Sequence, residues 1–174
     1  MALFETIQYQ LIKKTGHIEI RKYDSFLLAS TKTLINTTLD TGFNNVFSYI
    51  SGNNDQNQKI SMTKPVVTYE EKQELVTGFY VPSKYSKSTV PNPVSQSVFI
   101  NEMNEAYYAV IRFSGNWRPK NIEKHDQKLL QYLAQNKIII ISRRYLMRYQ
   151  PPFIPGFLRR NEIAYQIKSF DKEE

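Results

Sequence analysis

The chain has 174 residues, is 41% hydrophobic, 13% aromatic and 22% charged, and carries a formal net charge of +7, the composition of a single globular domain with a real core rather than of a disordered chain. It contains no cysteine, which excludes a disulfide scaffold, a zinc finger, a thiol nucleophile and iron–sulfur ligation. No apolar run approaches the ~20 residues that cross a bilayer, and the opening MALFETIQYQLIKK is not a secretory signal.

The cytoplasm is therefore the expected compartment, and the glycosylation-type triplet Asn36-Thr37-Thr38 is read as silent. In chain order, IQYQLIK from Ile7, HIEIRKY from His17 and FLLASTKT from Phe26 alternate as half-buried strands do. DTGFNNVFSYISGNN then changes period. Phe43, Val46, Phe47 and Ile50 fall on one helical stripe, and Gly52 supplies the left-handed stop. KISMTKPVVTYE and ELVTGFYV return to strand character. PSKYSKSTVPNPVSQ is rich in proline and serine and reads as a linker over residues 83–95.

SVFIN and YYAVIRF open the second half as strands. RPKNIEKHDQKLLQYLAQNK is a second helix, with Pro119 at its start and Ile122, Leu129, Leu130 and Leu133 on one face, which Asp126 interrupts. KIIII, ending at Ile141, is apolar on both faces and reads as a strand covered on both sides, and EIAYQIK is the last strand. Each half thus runs strands, helix, strands. The expectation is a single α+β domain over residues 1–174, with pseudo-repeats of about 7–82 and 96–169. Two helices would pack on a twisted antiparallel sheet or distorted β-barrel of eight to nine strands, leaving a groove for a small ligand.

Much chemistry is missing. His17, on an apparent strand, and His125, on a polar helix turn, sit in no nucleophile motif and read as surface residues. The six glycines form no phosphate cradle, and no metal cluster is visible. The positive charge favours an anionic partner or simply serves solubility. Arg143, Arg144, Tyr145, Arg148 and Tyr149 could supply nucleic-acid contacts, but no nucleic-acid-binding signature accompanies them, so that partner is not the expected one.

Three stretches together resemble one family. GHIEIRKYDSFLLAS carries an E-I-R-x-Y core, GFNNVFSYISGNNDQNQKISMTKPV carries Y-I-x-G-x-N and K-I-x-M-T-x-P-V, and YQPPFIPGFLRRNEIAYQI carries a proline loop and an R-N-E strand. This is the pattern of the SOUL/haem-binding-protein family, whose fold is similar to the ligand-binding domains of bacterial effector-binding regulators. The resemblance implies binding of haem or another tetrapyrrole, and the expectation is a monomer that binds it reversibly and without a covalent link.

A porphyrin is an apolar disc with carboxylates on one edge, so it needs an apolar platform with cations at the rim. The expected ligand-binding residues are Phe43, Phe47, Met62, Lys64, Tyr149, Phe153, Phe157, Arg159 and Glu162, in an apolar groove between the first helix and the proline loop. Phe153, Ile154 and Phe157 cannot all fold inward from a loop stiffened by Pro151, Pro152 and Pro155, and are read as a lid. Arg159 or Arg160, and Lys64 or Arg21 opposite, would meet the propionates, while Glu162 would take Arg159 as its partner. Some family members carry a histidine inside E-I-R-x-Y as an iron ligand. This chain has Lys22 there, so no axial ligand is assigned. The alternative is a small-molecule-binding or hydrolytic domain of the effector-binding type using Glu162 and a tyrosine.

Overall fold

The structure, a computed structural model, describes residues 3–35 and 39–170, without the side chains of residues 39–41. The triplet Asn36-Thr37-Thr38 lies outside the described residues. In chain order the strands and helices are β1 (Glu5–Thr6), β2 (Tyr9–Thr15), β3 (Ile18–Tyr23), β4 (Phe26–Leu34), α1 (Leu39–Ile50), β5 (Thr63–Lys64), β6 (Val66–Glu71), β7 (Glu74–Tyr80), β8 (Val98–Met103), β9 (Ala106–Phe113), α2 (Pro119–Gln135), β10 (Tyr145–Arg148) and β11 (Asn161–Ile167). Both helices and most strands fall where hydrophobic periodicity places them.

By its contacts the described chain divides into two compact units, residues 3–7 with 25–104 and residues 8–24 with 105–170. The β2–β3 hairpin therefore joins the second half, although chain order alone had counted it with the first. In the first unit the antiparallel order is β6-β7-β4-β8, and in the second it is β2-β3-β9-β11-β10. The connectivity repeats. A strand (β4 or β9) leads to a helix, then, past the short β5 in the first unit, to two sheet strands, of which the last pairs back onto the first. Among the described residues β8 pairs only with β4 and β2 only with β3, so the nine antiparallel strands form open sheet and not a barrel.

Burial follows the alternation. In the second unit Ile20, Ala109, Ile111, Phe113, Ile163 and Tyr165 share a face that buries Leu129 and Leu133 of α2. In the first, Val46, Tyr49 and Ile50 of α1 pack on Ala29, Phe79 and Val81. The predicted α1 stripe is rotated, since Tyr49 is buried while Phe47 is 44% exposed.

Three local expectations are corrected. Ile7 does not start a long strand: β1 pairs in parallel with β5, Ile7 donates its amide to Lys64, and β2 begins at Tyr9. KIIII is not a covered strand. It makes one isolated bridge, Ile140 to Ile167, and leaves Ile139 58% and Ile141 52% exposed. The amide of Gln166 is taken by the Ser142 hydroxyl at 2.8 Å, which breaks the ladder before β10. Asp126 does not interrupt the helix face but is buried in it, accepting from Tyr165 Oη at 2.7 Å and Arg144 Nη1 at 2.9 Å.

Gly42 sets how closely α1 approaches its sheet. A methyl group there would lie 2.6 Å from Thr77 Oγ1 and 2.9 Å from Thr77 Cβ. Gly42→Ala should therefore destabilise the protein by about 1–3 kcal/mol through overpacking, even though alanine gains about 1 kcal/mol in helix propensity. Urea unfolding checks the sign: a raised midpoint would mean that the helix can shift outward without loss.

Candidate functional site

On the face of the second unit opposite α2, β3 and β11 flank β9 and send charged side chains across it. Arg21, 1% exposed, meets Glu162, 0% exposed, in a bidentate pair with Nη1–Oε2 at 2.9 Å and Nη2–Oε1 at 2.8 Å. Glu162 also accepts from Tyr149 Oη at 2.9 Å and from Arg160 Nη2 at 2.8 Å. Arg21 donates further to Glu19 at 2.7 Å and to Tyr23 Oη at 2.9 Å, and its guanidinium lies 4.1 Å from the Tyr9 ring centroid. The E-I-R-x-Y strand and the R-N-E strand thus meet in one polar cluster.

Burial alone would raise the Glu162 carboxyl, but the hydrogen bonds and charge of Arg21, with Arg160 behind them, hold it below the usual carboxylate range. Burial likewise opposes the charge of Arg21, and Glu162 overcomes it, raising the guanidinium above its ordinary value. Tyr149 is pushed up by burial and by the adjacent Glu162 charge, so its hydroxyl stays a donor. The expected partnership of Glu162 with Arg159 is therefore wrong. Arg21 fills that place because it reaches over the narrow β9 strand with two donors in the geometry a carboxylate accepts. Arg21 is accordingly not on offer to a ligand either.

Arg159 holds the proline loop instead. Its Nε donates to Ile154 O at 2.8 Å, its Nη2 to Pro152 O, and its guanidinium stacks 4.5 Å from the centroid of Trp117. Trp117 in turn donates Nε1–H to the buried Asn161 at 2.7 Å, and Arg148 covers its ring at 4.8 Å. Arg160 stacks on Tyr149 at 4.1 Å. Every member of the R-R-N-E run has an internal partner. Trp117 was missed from sequence because it stands alone in a loop, with no periodicity to mark it.

The aromatic residues of the loop are not taken inward. Phe153 is 82% and Phe157 77% exposed. Met62, Phe43 and Phe47 lie in the first unit: Met62 and Phe43 are half-buried against its core, and Phe43 stacks on Phe47 with centroids 5.7 Å apart. Lys64 sits 5.2 Å from the Phe4 ring centroid. Lys22, at the motif position of the histidine, pairs with Glu105 at 3.0 Å.

A cleft of about 660 Å³ opens on the second unit, floored by Ile18, Ile111 and Phe113 and edged by Phe157 and Leu158 of the proline loop. Arg112, Lys128 and Arg160 line it, as do both histidines of the chain. His17 is in the β2–β3 turn beside Gly16, whose φ of 60° makes that turn, and not on a strand as expected. His125 stacks on Phe113 with centroids 4.3 Å apart and planes at 12°. Its Nδ1 lies 2.8 Å from Asn121 O. A carbonyl can only accept, so Nδ1 carries the proton and Nε2 keeps the lone pair of the neutral ring. Burial, and then the charges of Lys128, Lys124 and His17, lower the imidazole below its usual range against the opposing pull of the Asn121 carbonyl. No sequence signal brings the two histidines together, because they lie far apart in the chain and only the folded sheet joins hairpin and helix.

The strand-helix-strand-strand order, present twice, defines an α+β fold on an open, mostly antiparallel sheet. It is similar to the EcmrR C-terminal domain, with a TM-score of 0.66 at 9% identity over 93% of this chain and 99% of that one. It is also similar to a hydrolase from Listeria innocua, with a TM-score of 0.62 at 5% identity over 87% and 91% of the two chains. At such identities the likeness is one of fold alone. Sequence gives the family. The model described as SOUL heme-binding protein matches residues 4–166, and Heme-binding protein 2 of Homo sapiens is 30% identical over 167 residues, covering 88% of this chain and 78% of its own. The chain belongs to the SOUL haem-binding protein family. Among the described residues no helix is long and apolar enough to cross a membrane.

Removing one member of the Arg21–Glu162 pair leaves the other charged and buried, so Glu162→Gln should cost about 3–5 kcal/mol at pH 7. The Glu162 carboxyl is lower in the folded state than in the unfolded one, so the unfolded chain binds more protons as pH falls. Its stabilisation is complete above the unfolded value of about 4.3 and declines as pH drops towards the folded one. Urea unfolding at pH 7 and across the acid range should show a lower plateau and a shallower acid limb for Glu162→Gln; identical curves would sink the assignment.

Proposed function

We propose that this chain reversibly binds haem or a related tetrapyrrole, as a carrier, buffer or sensor, and that it is not an enzyme. Membership of the SOUL family over residues 4–166 is the observation that carries this reading. The human relative's name, Heme-binding protein 2, points the same way. The geometry of the second unit supports it. The cleft of about 660 Å³ falls within the range of ~300–1,000 Å³ typical of small-molecule sites. Its floor and proline-loop edge are apolar, as a porphyrin face requires, and Arg112 and Lys128, which line the same cleft, are cations that propionates could pair with. Such exposed ion pairs contribute at most about 1 kcal/mol each, so they orient the ligand while the apolar faces hold it.

The donor chemistry also fits an iron porphyrin, since His125 lines the cleft with its Nδ1–H held by Asn121 O, which leaves Nε2 as the basic nitrogen of the neutral ring. When bound, haem would supply a redox-active iron, and the protein's part is to seat the ring and shield one face of it. The effector-binding or hydrolytic alternative relies on the Glu162 carboxylate. That group is wholly buried and already neutralised by Arg21 and Arg160, which leaves it no free charge for a cationic ligand or a proton transfer.

Absorbance and fluorescence titrations with hemin and with metal-free protoporphyrin test the proposal. Both should saturate near one equivalent, and Phe157→Ala should weaken both about tenfold, since burial of that ring on binding is worth roughly 1.4 kcal/mol. No saturable change with either ligand would overturn it.

A further inference from the structure

His125 carries more than its burial explains. It is held in one tautomer by the carbonyl of its own helix and in one plane by Phe113. A backbone carbonyl on Nδ1–H is the arrangement by which proteins orient a histidine whose Nε2 binds a metal. The ring lies on the wall of a cleft whose floor and edge are apolar.

Among the described residues no group of three or more His, Asp or Glu could hold a bare ion. A single imidazole is enough only when the ligand brings its own donors, and a porphyrin brings four nitrogens. The motif position in E-I-R-x-Y offers no substitute, because Lys22 is a cation paired with Glu105.

We infer that His125 is the axial iron ligand of haem seated in the cleft between Phe113 and the proline loop, an assignment that rests on the tetrapyrrole reading above. In this chain the iron ligand has moved from the motif strand to α2. Phe157 and Leu158 edge that cleft and would flank the ring, and Arg112 and Lys128, which line it, would pair with the propionates. His17 lines the cleft from the hairpin turn but is exposed, and among the described residues no hydrogen bond orients its ring.

The test compares hemin and metal-free protoporphyrin binding to the wild-type protein, His125→Ala, His125→Gln and His17→Ala, with circular dichroism confirming the fold of each. Wild type should bind hemin with a Soret band typical of imidazole ligation. Both His125 variants should lose that band and bind hemin about tenfold or more weakly, while protoporphyrin affinity changes less than about twofold. Added imidazole should restore the band in His125→Ala. An unchanged hemin spectrum in both His125 variants, or loss of the band in His17→Ala alone, would overturn the assignment. So would a wild-type protein that binds both ligands equally without an imidazole-type band, which would leave the tetrapyrrole reading standing. Binding of neither ligand to wild type would overturn both.

Discussion

The second unit is organised around one buried ion pair. Arg21 and Glu162 are almost wholly removed from water, a cost of several kcal/mol per ion that Coulomb attraction repays only when the remaining donors and acceptors are also satisfied. Here they are: Glu162 is covered by Tyr149 and Arg160, and Arg21 by Glu19, Tyr23 and the face of Tyr9. Because β3 and β11 are not neighbours but flank β9, the pair fixes the register of three strands at once. A slip of one residue in either outer strand would turn a buried charge onto the α2 face.

That constraint decides what the proline loop can be. Arg160 is drawn to Glu162, Asn161 to Trp117, and Arg159 to the loop carbonyls of Ile154 and Pro152. Gly156 also lies against the backbone of Gly115, where a Cβ would come within 3.3 Å of Gly115 C. The loop backbone is thus tied down on its polar side, and three prolines limit how it can turn. Phe153 and Phe157 are left outside as an unusual amount of apolar surface for a loop. Burial of these side chains is withheld from folding and remains available for binding.

The most specific motif block does structural work in the first unit. Tyr49 donates its hydroxyl to Pro91 O at 2.6 Å, and Thr63 donates to Tyr80 O. Asn54, buried, bonds the carbonyls of Tyr49 and Gln58 and accepts from the amides of Gln56 and Gln58. Gly52, at φ 122°, lets the chain leave α1 into that turn. A motif can therefore identify a family through the residues that shape its backbone, not only through those that touch a ligand.

Hydrophobic periodicity by itself determined the two helices, most of the strands and the repeated order of elements, because the period of 3.6 or 2 is a local property of the chain. It failed at KIIII, where composition favoured a strand but a side-chain hydroxyl captured the ladder amide. It also failed for the hairpin Tyr9–Tyr23, whose unit is set by pairing with β9. The exposed aromatics of the proline loop were legible too, since proline stiffness is a local fact. What only tertiary structure decided were the partners. Arg21, not Arg159, neutralises Glu162; Trp117 anchors the loop; His17 and His125 share a cleft. Each joins residues far apart in the chain, and which long-range contact wins depends on reach, donor geometry and desolvation in the folded sheet, quantities that no local pattern encodes.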